Sequence, residues 1–298
     1  METNERLRRL AFDVGYRMLG SAAEAEDVAQ ETLLRLHDAE GVANAEAFAT
    51  TVATRLSIDV LRSARVRRET YVGSWLPEPL LAAPADAPAR VEDEETVSLA
   101  FLTLLERLTP EERAVLVLRE AFDFGYDEIA ATLERSEASC RQLLSRGRRR
   151  IDADRPRFDA DVARRDELAS RFLAAARDGD VDGLVALLAD DAVLVGDGGG
   201  KARAIAAPLT GATAVARALA GFARLGAGWG VALEPATVNG QPGLRALDRD
   251  GRLVGVVGVD VVDGRVARLH SVVNPDKLAH LGPVSDVALR PGVRTERG

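Results

Sequence analysis

Residues 109–151 read TPEERAVLVLREAFDFGYDEIAATLERSEASCRQLLSRGRRRI, and this stretch decides the fold of the middle of the chain. Thr109 is suited to cap a helix, Pro110 to occupy its first position, and Glu112 to complete a capping box. The apolar residues that follow keep helical spacing. The stretch therefore predicts a helical domain, and we place that domain at residues 98–155.

The second half of this stretch has the proportions of a helix-turn-helix. We predict a first helix over Asp127–Leu133, a turn over Glu134–Ser136 and a second helix over Glu137–Ile151. The second helix concentrates arginines, which suits a helix that enters the major groove of DNA. A solvated basic face is the alternative. The side chains expected to reach base edges are Arg141, Gln142, Ser145 and Arg146, with Arg148, Arg149 and Arg150 on phosphates.

Composition limits the class of protein. The chain has 298 residues, a formal net charge of −8 and 47% hydrophobic residues, values of a globular protein with several domains. Its single cysteine, Cys140, excludes an internal disulfide and a cysteine zinc cluster, and we expect it to pack inward. We see neither a signal peptide nor an apolar run of membrane-spanning length, so we expect a cytoplasmic protein without membrane contact, metal or cofactor.

The residues before this domain predict further helices and then a linker. Within a domain that we place at residues 1–68, residues 5–68 have helical spacing, with Ser21 as the cap of a second helix and a third helix from about Ala45 to Arg68. Residues 69–97 are rich in proline, alanine and acidic residues, which predicts a linker. It contains one hydrophobic island, Trp75 to Leu80, which is either packed on a neighbouring domain or a docking motif.

The C-terminal part has a different pattern. Residues 163–283 predict two short helices over residues 166–180 and 181–191, a strand over residues 192–198, a helix over Ala212 to Leu225, and four further strands joined by turns that contain Asp-Gly. Helices followed by a sheet predict an α+β domain with a curved antiparallel sheet. We expect residues 284–298 to form a flexible tail.

Residues 16–31 read YRMLGSAAEAEDVAQE and are similar to part of a known family. This stretch resembles regions 2.1–2.2 of the extracytoplasmic-function (ECF) sigma factors, which direct bacterial RNA polymerase to promoters. The resemblance implies that an acidic helix face grips the coiled coil of the β′ subunit of core RNA polymerase. The residues implied are Asp27, Gln30, Glu31 and Leu34.

Residues 49–62, ATTVATRLSIDVLR, resemble regions 2.3–2.4 of the same family, which melt and read the −10 promoter element. Asn44 to Phe48 would form the loop that receives a flipped base. The family often has tryptophan near Phe48, so stacking there is expected to be weaker. The −10 residues implied are Asn44, Phe48, Arg55, Asp59, Arg62 and Arg65. The helix-turn-helix then fits region 4, which reads the −35 element and contacts the β flap.

Three short motifs are similar to the signatures of the ECF subgroup with a SnoaL-like extension, group 41. The resemblance implies that residues 163–283 fold as a SnoaL-like cone and tune sigma activity in cis. We expect the motif turns, with Lys201 and Lys277, to meet the linker or the sigma domains. The motifs are Trp75-Leu76-Pro77-Glu78-Pro79, Asp197-Gly198-Gly199-Gly200-Lys201 and Asn274-Pro275-Asp276-Lys277-Leu278.

Two other classes of function stay open at this point. A ligand-sensing repressor could bind DNA through the helix-turn-helix without polymerase, but it has no use for the Asp27–Glu31 face. SnoaL-like relatives include enzymes, and His270 with Asp248 or Asp260 is the acid–base set available here. We expect no catalytic residue, and an unidentified small-molecule ligand in the cone stays open.

Overall fold

The computed structural model describes residues 2–69, 71–81, 97–152, 162–289 and 291. The chain divides into two compact units. The first comprises Met1–Thr70 and Phe101–Arg155, and the second comprises Tyr71–Ala100 and Pro156–Gly298. The linker residues 71–81 therefore belong to the same unit as the C-terminal domain.

The first unit is helical. Its apolar side chains, among them Leu7, Val14 and Met18, are buried between the helices. The second helix of the helix-turn-helix begins and ends at the predicted residues. The helices are α1 (Glu2–Leu19), α2 (Ala22–Asp38), α3 (Ala45–Glu69), α4 (Leu99–Leu105, which begins in the second unit), α5 (Pro110–Glu120), α6 (Tyr126–Leu133) and α7 (Glu137–Ile151).

Side-chain caps fix where these helices begin. Ser21 Oγ accepts a hydrogen bond from the Glu24 N–H at the start of α2. Thr109 and Glu112 form the predicted capping box, with Pro110 at the first position of α5. The turn before α7 contains Glu134 in the left-handed conformation, with φ of 53°. Cys140 of α7 is buried, as its small apolar character predicts.

The second unit is an α+β domain, and we call its residues 162–289 the cone. In the part of this unit that the structure describes, six strands form one mixed sheet in the order β2-β1-β6-β5-β4-β3. The elements are α8 (Val162–Asp178), α9 (Val181–Leu187), β1 (Leu188–Asp197), β2 (Leu209–Thr210), α10 (Ala212–Trp229), β3 (Ala232–Val238), β4 (Gln241–Leu247), β5 (Leu253–Val262), β6 (Arg265–Val272) and α11 (Pro275–Leu278), followed by a 3₁₀ turn over Ala279–Leu281.

The sequence predicted an antiparallel sheet, but the sheet is not wholly antiparallel. Strands β1 and β6 are parallel neighbours, with Leu194 opposite Leu269. The chain between them comprises the short strand β2, helix α10 and the antiparallel strands β3, β4 and β5. Strand β1 also begins at Leu188, within residues predicted to be helical, because Leu188 pairs with Val266.

Two further boundaries differ from the sequence predictions. Helix α10 continues to Trp229, beyond the predicted end at Leu225, although Gly226 and Gly228 each weaken a helix by about 1 kcal/mol relative to alanine. The first residues of the segment predicted as a tail also pair with the cone: Val284 forms a bridge with Leu253, and Leu289 with Ala202.

Buried residues of the cone form two clusters. One lies between the helices and the sheet and includes Phe172, Leu194 and Leu269. The other includes Val238 and Val272 of the sheet together with Leu76 of the linker. The linker therefore contributes to the apolar core of the second unit. Among the described helices, none has both the length and the apolar character needed to cross a membrane.

Candidate functional site

The acidic face of α2 is accessible. Asp27 and Glu31 line an open groove whose other wall is formed by Leu56 and Val60 of α3. Leu34, one turn after Gln30, is 61% exposed and adds an apolar side chain to this accessible face. All four residues predicted to bind polymerase thus lie on one helix, and three of them, Asp27, Gln30 and Leu34, are exposed.

The sequence analysis expected the segment Asn44–Phe48 to form a loop, but it does not. Asn44 Oδ1 accepts hydrogen bonds from the N–H groups of Glu46 and Ala47, both at 3.1 Å. Asn44 therefore caps α3, and residues 45–48 form its first turn. Phe48 is half-buried on this turn.

The arginines of α3 contact region 4 within the first unit. Arg55 Nε donates to the Thr132 carbonyl at 2.9 Å, and a second nitrogen of Arg55 lies 3.0 Å from the Glu134 carboxylate. Arg62 donates to Glu111 at 2.8 Å. Helix α3, predicted to read the −10 element, is therefore hydrogen-bonded to α5, to α6 and to the turn before α7, and not to the predicted −35 recognition helix itself.

The ion pair between Arg62 and Glu111 shifts the pKa of both side chains. The hydrogen bond from Arg62 to Glu111 raises the pKa of Arg62. Partial burial of Glu111 works the other way, but the bond from Arg62 holds the pKa of Glu111 below its ordinary value. Both groups therefore stay charged at neutral pH. Asp59 is exposed on the same helix, and the side chain of Arg65 lies outside the described part of the chain.

The exposed face of α7 carries the residues predicted to read the −35 element. Arg141 pairs with Glu137 at 2.8 Å and lies over the ring of Tyr126. Arg146 is exposed, and no carboxylate among the described residues pairs with it. The remaining predicted side chains, Gln142, Ser145, Arg148 and Arg149, are also exposed on this helix.

Two arginines of α7 are oriented by glutamates of α5. Arg148 pairs with Glu120 at 2.8 Å, and Arg150 pairs with Glu112 at 2.5 Å. The helix-turn-helix thus presents an arginine with no carboxylate partner among the described residues, Arg146, on a helix whose last turn is fixed by ion pairs.

Arg113 was not recognised as important from the sequence. It is 3% exposed, and burial lowers the pKa of its guanidinium. The guanidinium donates to the carbonyls of Met18 at 2.8 Å and Leu105 at 2.6 Å, which lie at the ends of α1 and α4. The last carbonyls of a helix lack partners within the helix, so Arg113 satisfies two helix ends at once.

In the second unit, the buried carboxylate of Asp197 joins the three sequence motifs. Asp197 is 0% exposed. It accepts hydrogen bonds from the Tyr71 hydroxyl at 2.5 Å, the Leu76 N–H at 2.8 Å and the Gly199 N–H at 3.0 Å. With Lys277 at 2.8 Å as a fourth donor, the carboxylate is fully satisfied.

The Lys277 ammonium is buried and contacts both hydrogen-bond acceptors and aromatic rings. It is 7% exposed and donates to the Leu76 carbonyl as well as to Asp197. It also lies 4.1 Å from the ring centroid of Trp75 and 4.9 Å from that of Tyr71, a cation–π arrangement. We call the group Tyr71, Trp75, Leu76, Asp197, Asn274 and Lys277 the linker clasp.

The glycines of the second motif permit this close packing. Gly199 has φ of 56°, and a Cβ there would lie 2.3 Å from the Asn274 amide. Gly200 has φ of 73°, and its Cβ would press on Val72 of the linker. Asn274 caps α11 and donates to the Tyr71 hydroxyl at 2.8 Å. These positions therefore require glycine.

The remaining motif residues complete the contact. Among the described residues, Lys201 pairs with Asp276 at 2.7 Å on the surface, and not with residues 71–81 of the linker, and so it joins the second and third motifs. His280 Nε2 lies 2.8 Å from the Pro79 carbonyl, and its Nδ1 lies 3.9 Å from Glu78.

Asn239 holds the linker at two separate positions. Its Oδ1 accepts from the Leu80 N–H at 2.8 Å, and its Nδ2 donates to the Val97 carbonyl at 2.7 Å. Its backbone N–H also donates to the Leu80 carbonyl at 2.9 Å. One side chain therefore keeps Leu80 and Val97 close together.

The cone also contains a cavity of about 290 Å³ between α10 and the sheet. The predicted acid–base residues do not line it. His270 Nε2 lies 2.9 Å from Asp260, and both are buried away from the cavity, since the neighbour Ser271 lines it and strand residues alternate. Asp248 accepts from backbone N–H groups of its own hairpin turn. Within the described residues, no cluster of His, Cys, Asp or Glu could hold a metal ion.

Comparison with known proteins identifies the class of protein to which this chain belongs. The family model "Sigma-70 region 2" matches residues 4–67, and "Sigma-70, region 4" matches residues 98–151. The ECF RNA polymerase sigma factor SigJ of Mycobacterium tuberculosis is 38% identical over 284 residues, which cover 92% of this chain and 91% of SigJ. A probable ECF sigma factor of the same organism, SigI, is 30% identical over 281 residues, covering 91% of this chain and 92% of SigI.

The solved structure of Mycobacterium tuberculosis SigJ agrees with these relationships. It matches with a TM-score of 0.75 and 35% identity, covering 92% of this chain and 96% of that one. The two helical domains therefore define a sigma factor of the sigma-70 class. The chain belongs to the ECF family of RNA polymerase sigma factors, and among them it is similar to SigJ over nearly its whole length. It acts with core RNA polymerase on promoter DNA, and the repressor alternative has no comparable support.

Three residues of the second unit were missed by the sequence analysis. Tyr71 lies just before the recognised Trp75, so an aromatic residue there was a usable signal. Asn239-Gly240 is a hairpin signal, which predicts the turn between β3 and β4 but not the linker contacts of its side chain. Nothing in the sequence pointed to His280.

Proposed function

We propose that the cone regulates this sigma factor in cis by holding the linker between regions 2 and 4 in a closed form. The observation that carries the proposal is the double attachment of the linker to Asn239, at Leu80 and at Val97. The linker clasp adds a second attachment through Asp197 and Lys277. Promoter recognition then requires release of the linker.

Chain length supports an inhibitory role for this attachment. The −35 and −10 elements are roughly 25 base pairs apart, or about 85 Å along straight DNA. At about 3.3 Å per residue, residues 71–98 could extend to about 90 Å. While Leu80 and Val97 are tied together, only Tyr71–Leu80 can extend, which gives about 30 Å. The bound linker is then too short for the two reading helices to reach both elements.

The contacts inside the first unit support the same proposal. Arg55 and Arg62, which we propose as −10 contacts, donate hydrogen bonds to residues of region 4. A −10 element would have to replace these partners. The closed form therefore occupies DNA-binding arginines as well as shortening the linker.

We assign the remaining surfaces by the same reasoning. Asp27, Gln30, Glu31 and Leu34 form the contact with the β′ coiled coil, and region 4 meets the β flap. Asn44, Phe48, Arg55, Asp59, Arg62 and Arg65 contact the −10 element. Arg141, Gln142, Ser145, Arg146, Arg148 and Arg149 contact the −35 element. The protein acts as a specificity subunit without catalysis of its own.

Run-off transcription with purified core polymerase tests the regulatory proposal. Asn239→Gly removes both side-chain bonds but keeps the turn, because Asn239 has φ of 51° and glycine adopts this conformation readily. Two lost hydrogen bonds correspond to about 1–3 kcal/mol. We expect transcription to rise by about tenfold.

Asp263→Gly is the matched control. Asp263 also has φ of 51° and also precedes a glycine in a hairpin, between β5 and β6. We expect this variant to transcribe like the unmodified protein. Equal transcription by all three proteins, or a lower yield from Asn239→Gly, would refute inhibition through the linker while leaving the sigma assignment intact.

A further inference from the structure

The cavity of the cone has the lining of a binding site for an apolar molecule. Its walls come from α8 and α10, from strands β1, β3, β4, β5 and β6, and from the segment around Ala204. Aliphatic and aromatic side chains dominate, including Leu194, Val257 and Trp229. At its rim, Phe222 is 46% exposed and Leu225 is 45% exposed. Exposed large apolar side chains at the rim of an apolar cavity are typical of a ligand entrance.

Among the described residues that line this cavity, one is charged. Arg203 lies in the lining, and its guanidinium carbon is 5.8 Å from the centroid of the Trp229 ring. Its backbone is fixed, since the Arg203 N–H donates to the Ala288 carbonyl at 2.9 Å. Among the described residues no carboxylate pairs with Arg203, in contrast to Arg55, Arg62 and Arg148. The guanidinium therefore has hydrogen-bond donors available for an acid.

We propose that the cavity binds an apolar molecule with a single anionic group, such as an aromatic or medium-chain carboxylic acid. The carboxylate accepts hydrogen bonds from Arg203, and the apolar body lies between α10 and the sheet. Guanidinium and carboxylate match in geometry and charge, which explains why one arginine suffices for selectivity. Ser271 of β6 is a further polar residue in the lining of the cavity.

The cavity walls continue directly into the linker clasp. Gly196 lines the cavity, and the next residue, Asp197, binds the linker. Val273 also lines the cavity, and the next residue, Asn274, donates to Tyr71. A ligand that moves either strand end would change the clasp. This effect on transcription rests on the proposed function, whereas binding itself does not.

Calorimetric titration of the full-length protein tests the inference with two matched pairs of probes. Decanoate is compared with decan-1-ol, and 1-naphthoate with 1-naphthalenemethanol. We expect at least one acid to bind with a stoichiometry of one and about tenfold more tightly than its alcohol. In Arg203→Gln, this preference should disappear while the alcohol binds as before. The comparison of the two acids separates an aliphatic from an aromatic ligand.

A pair of alanine variants on α10 tests the location. Ala223 lines the cavity, whereas Ala227 on the same helix is exposed and does not line it. We expect Ala223→Phe to abolish binding by filling the cavity, and Ala227→Phe to leave it unchanged. Absence of saturable binding by both acids, equal affinity for acid and alcohol, or undiminished binding in Ala223→Phe would each overturn the proposal. Because Arg203 is exposed, Arg203→Gln is a decisive variant even if Ala223→Phe fails to fold.

Discussion

The ammonium of Lys277 lies 2.8 Å from the carboxylate of Asp197, although 80 positions separate them in the sequence. Both side chains are nearly inaccessible to water. A buried ion pair is tolerated only when its remaining hydrogen-bonding groups are satisfied. Here the linker provides the additional hydrogen bonds. The Tyr71 hydroxyl and the Leu76 N–H donate to Asp197, and the Leu76 carbonyl accepts from Lys277. The cone is therefore fully satisfied at this site only with the linker bound.

The first prediction concerns this pair. Lys277→Met leaves the Asp197 carboxylate buried without its cationic partner, a change that typically costs about 3–5 kcal/mol. We expect a loss of this size in urea denaturation followed by tryptophan fluorescence. The control is Lys201→Met, which breaks an exposed Lys–Asp pair in the same motifs and should cost less than about 1 kcal/mol.

The double variant distinguishes pairing from general damage. Asp197→Asn combined with Lys277→Met removes both charges, so its loss of stability should be smaller than the sum of the two single losses. Additive losses would mean that the two residues stabilise the cone independently.

The second prediction concerns Arg113 in the first unit. Arg113→Met leaves the carbonyls of Met18 and Leu105 without this donor, and we expect a loss of about 3 kcal/mol or more in the free energy of unfolding. Arg113→Lys should recover only part of that loss, because a lysine is a point charge and cannot span both carbonyls. Full recovery with lysine would show that charge matters here and the fork geometry does not.

Local sequence signals predicted the helical parts of the fold well. The capping box at Thr109 and the boundaries Glu137–Ile151 are encoded within a few residues, and both are found in the structure. The start of β1 was not predictable in the same way. Leu188 belongs to a stretch with helical spacing, but it pairs with Val266, and that contact depends on the whole sheet.

The candidate site was predictable in its parts but not in its contacts. The three motifs identified Asp197 and Lys277, yet no local pattern indicates that one carboxylate binds two of the motifs. Asn239 lies in a recognisable turn, but its bonds to Leu80 and Val97 cross about 150 positions. Similarly, the sequence marked Arg55 for DNA, and its hydrogen bond to Thr132 follows only from the packing of α3 against α6.

The third prediction concerns pH. Burial, together with the hydrogen bond to Asp197, raises the pKa of Tyr71 above its ordinary value near 10. Above about pH 10, the unfolded chain therefore loses this proton while the folded protein keeps it, so stability falls as pH rises. We expect a decline of no more than about 1 kcal/mol per pH unit, measured as urea midpoints between about pH 8 and 11.

Tyr71→Phe separates this effect from general alkaline unfolding. Phenylalanine has no ionisable group, so the variant should be less stable at neutral pH and should lose the additional decline above pH 10. Tyr126→Phe, in region 4 and outside the clasp, should keep the decline. The same pH profile in Tyr71→Phe and the unmodified protein would exclude Tyr71 as its source.

The last prediction concerns the exposed face of α7. Arg146 is exposed and has no carboxylate partner among the described residues, so Arg146→Ala should hardly change stability. If Arg146 contacts a base edge, the substitution should weaken binding of the holoenzyme to the promoter by about 1–3 kcal/mol and relax selection at one −35 position. Arg171→Ala, an exposed arginine of α8, is the control and should bind normally. Footprints on promoters with single −35 substitutions would measure both effects. Uniform weakening on every promoter would instead assign Arg146 to a phosphate, with a smaller salt dependence as the accompanying sign, and an unchanged footprint would exclude α7 as the recognition helix.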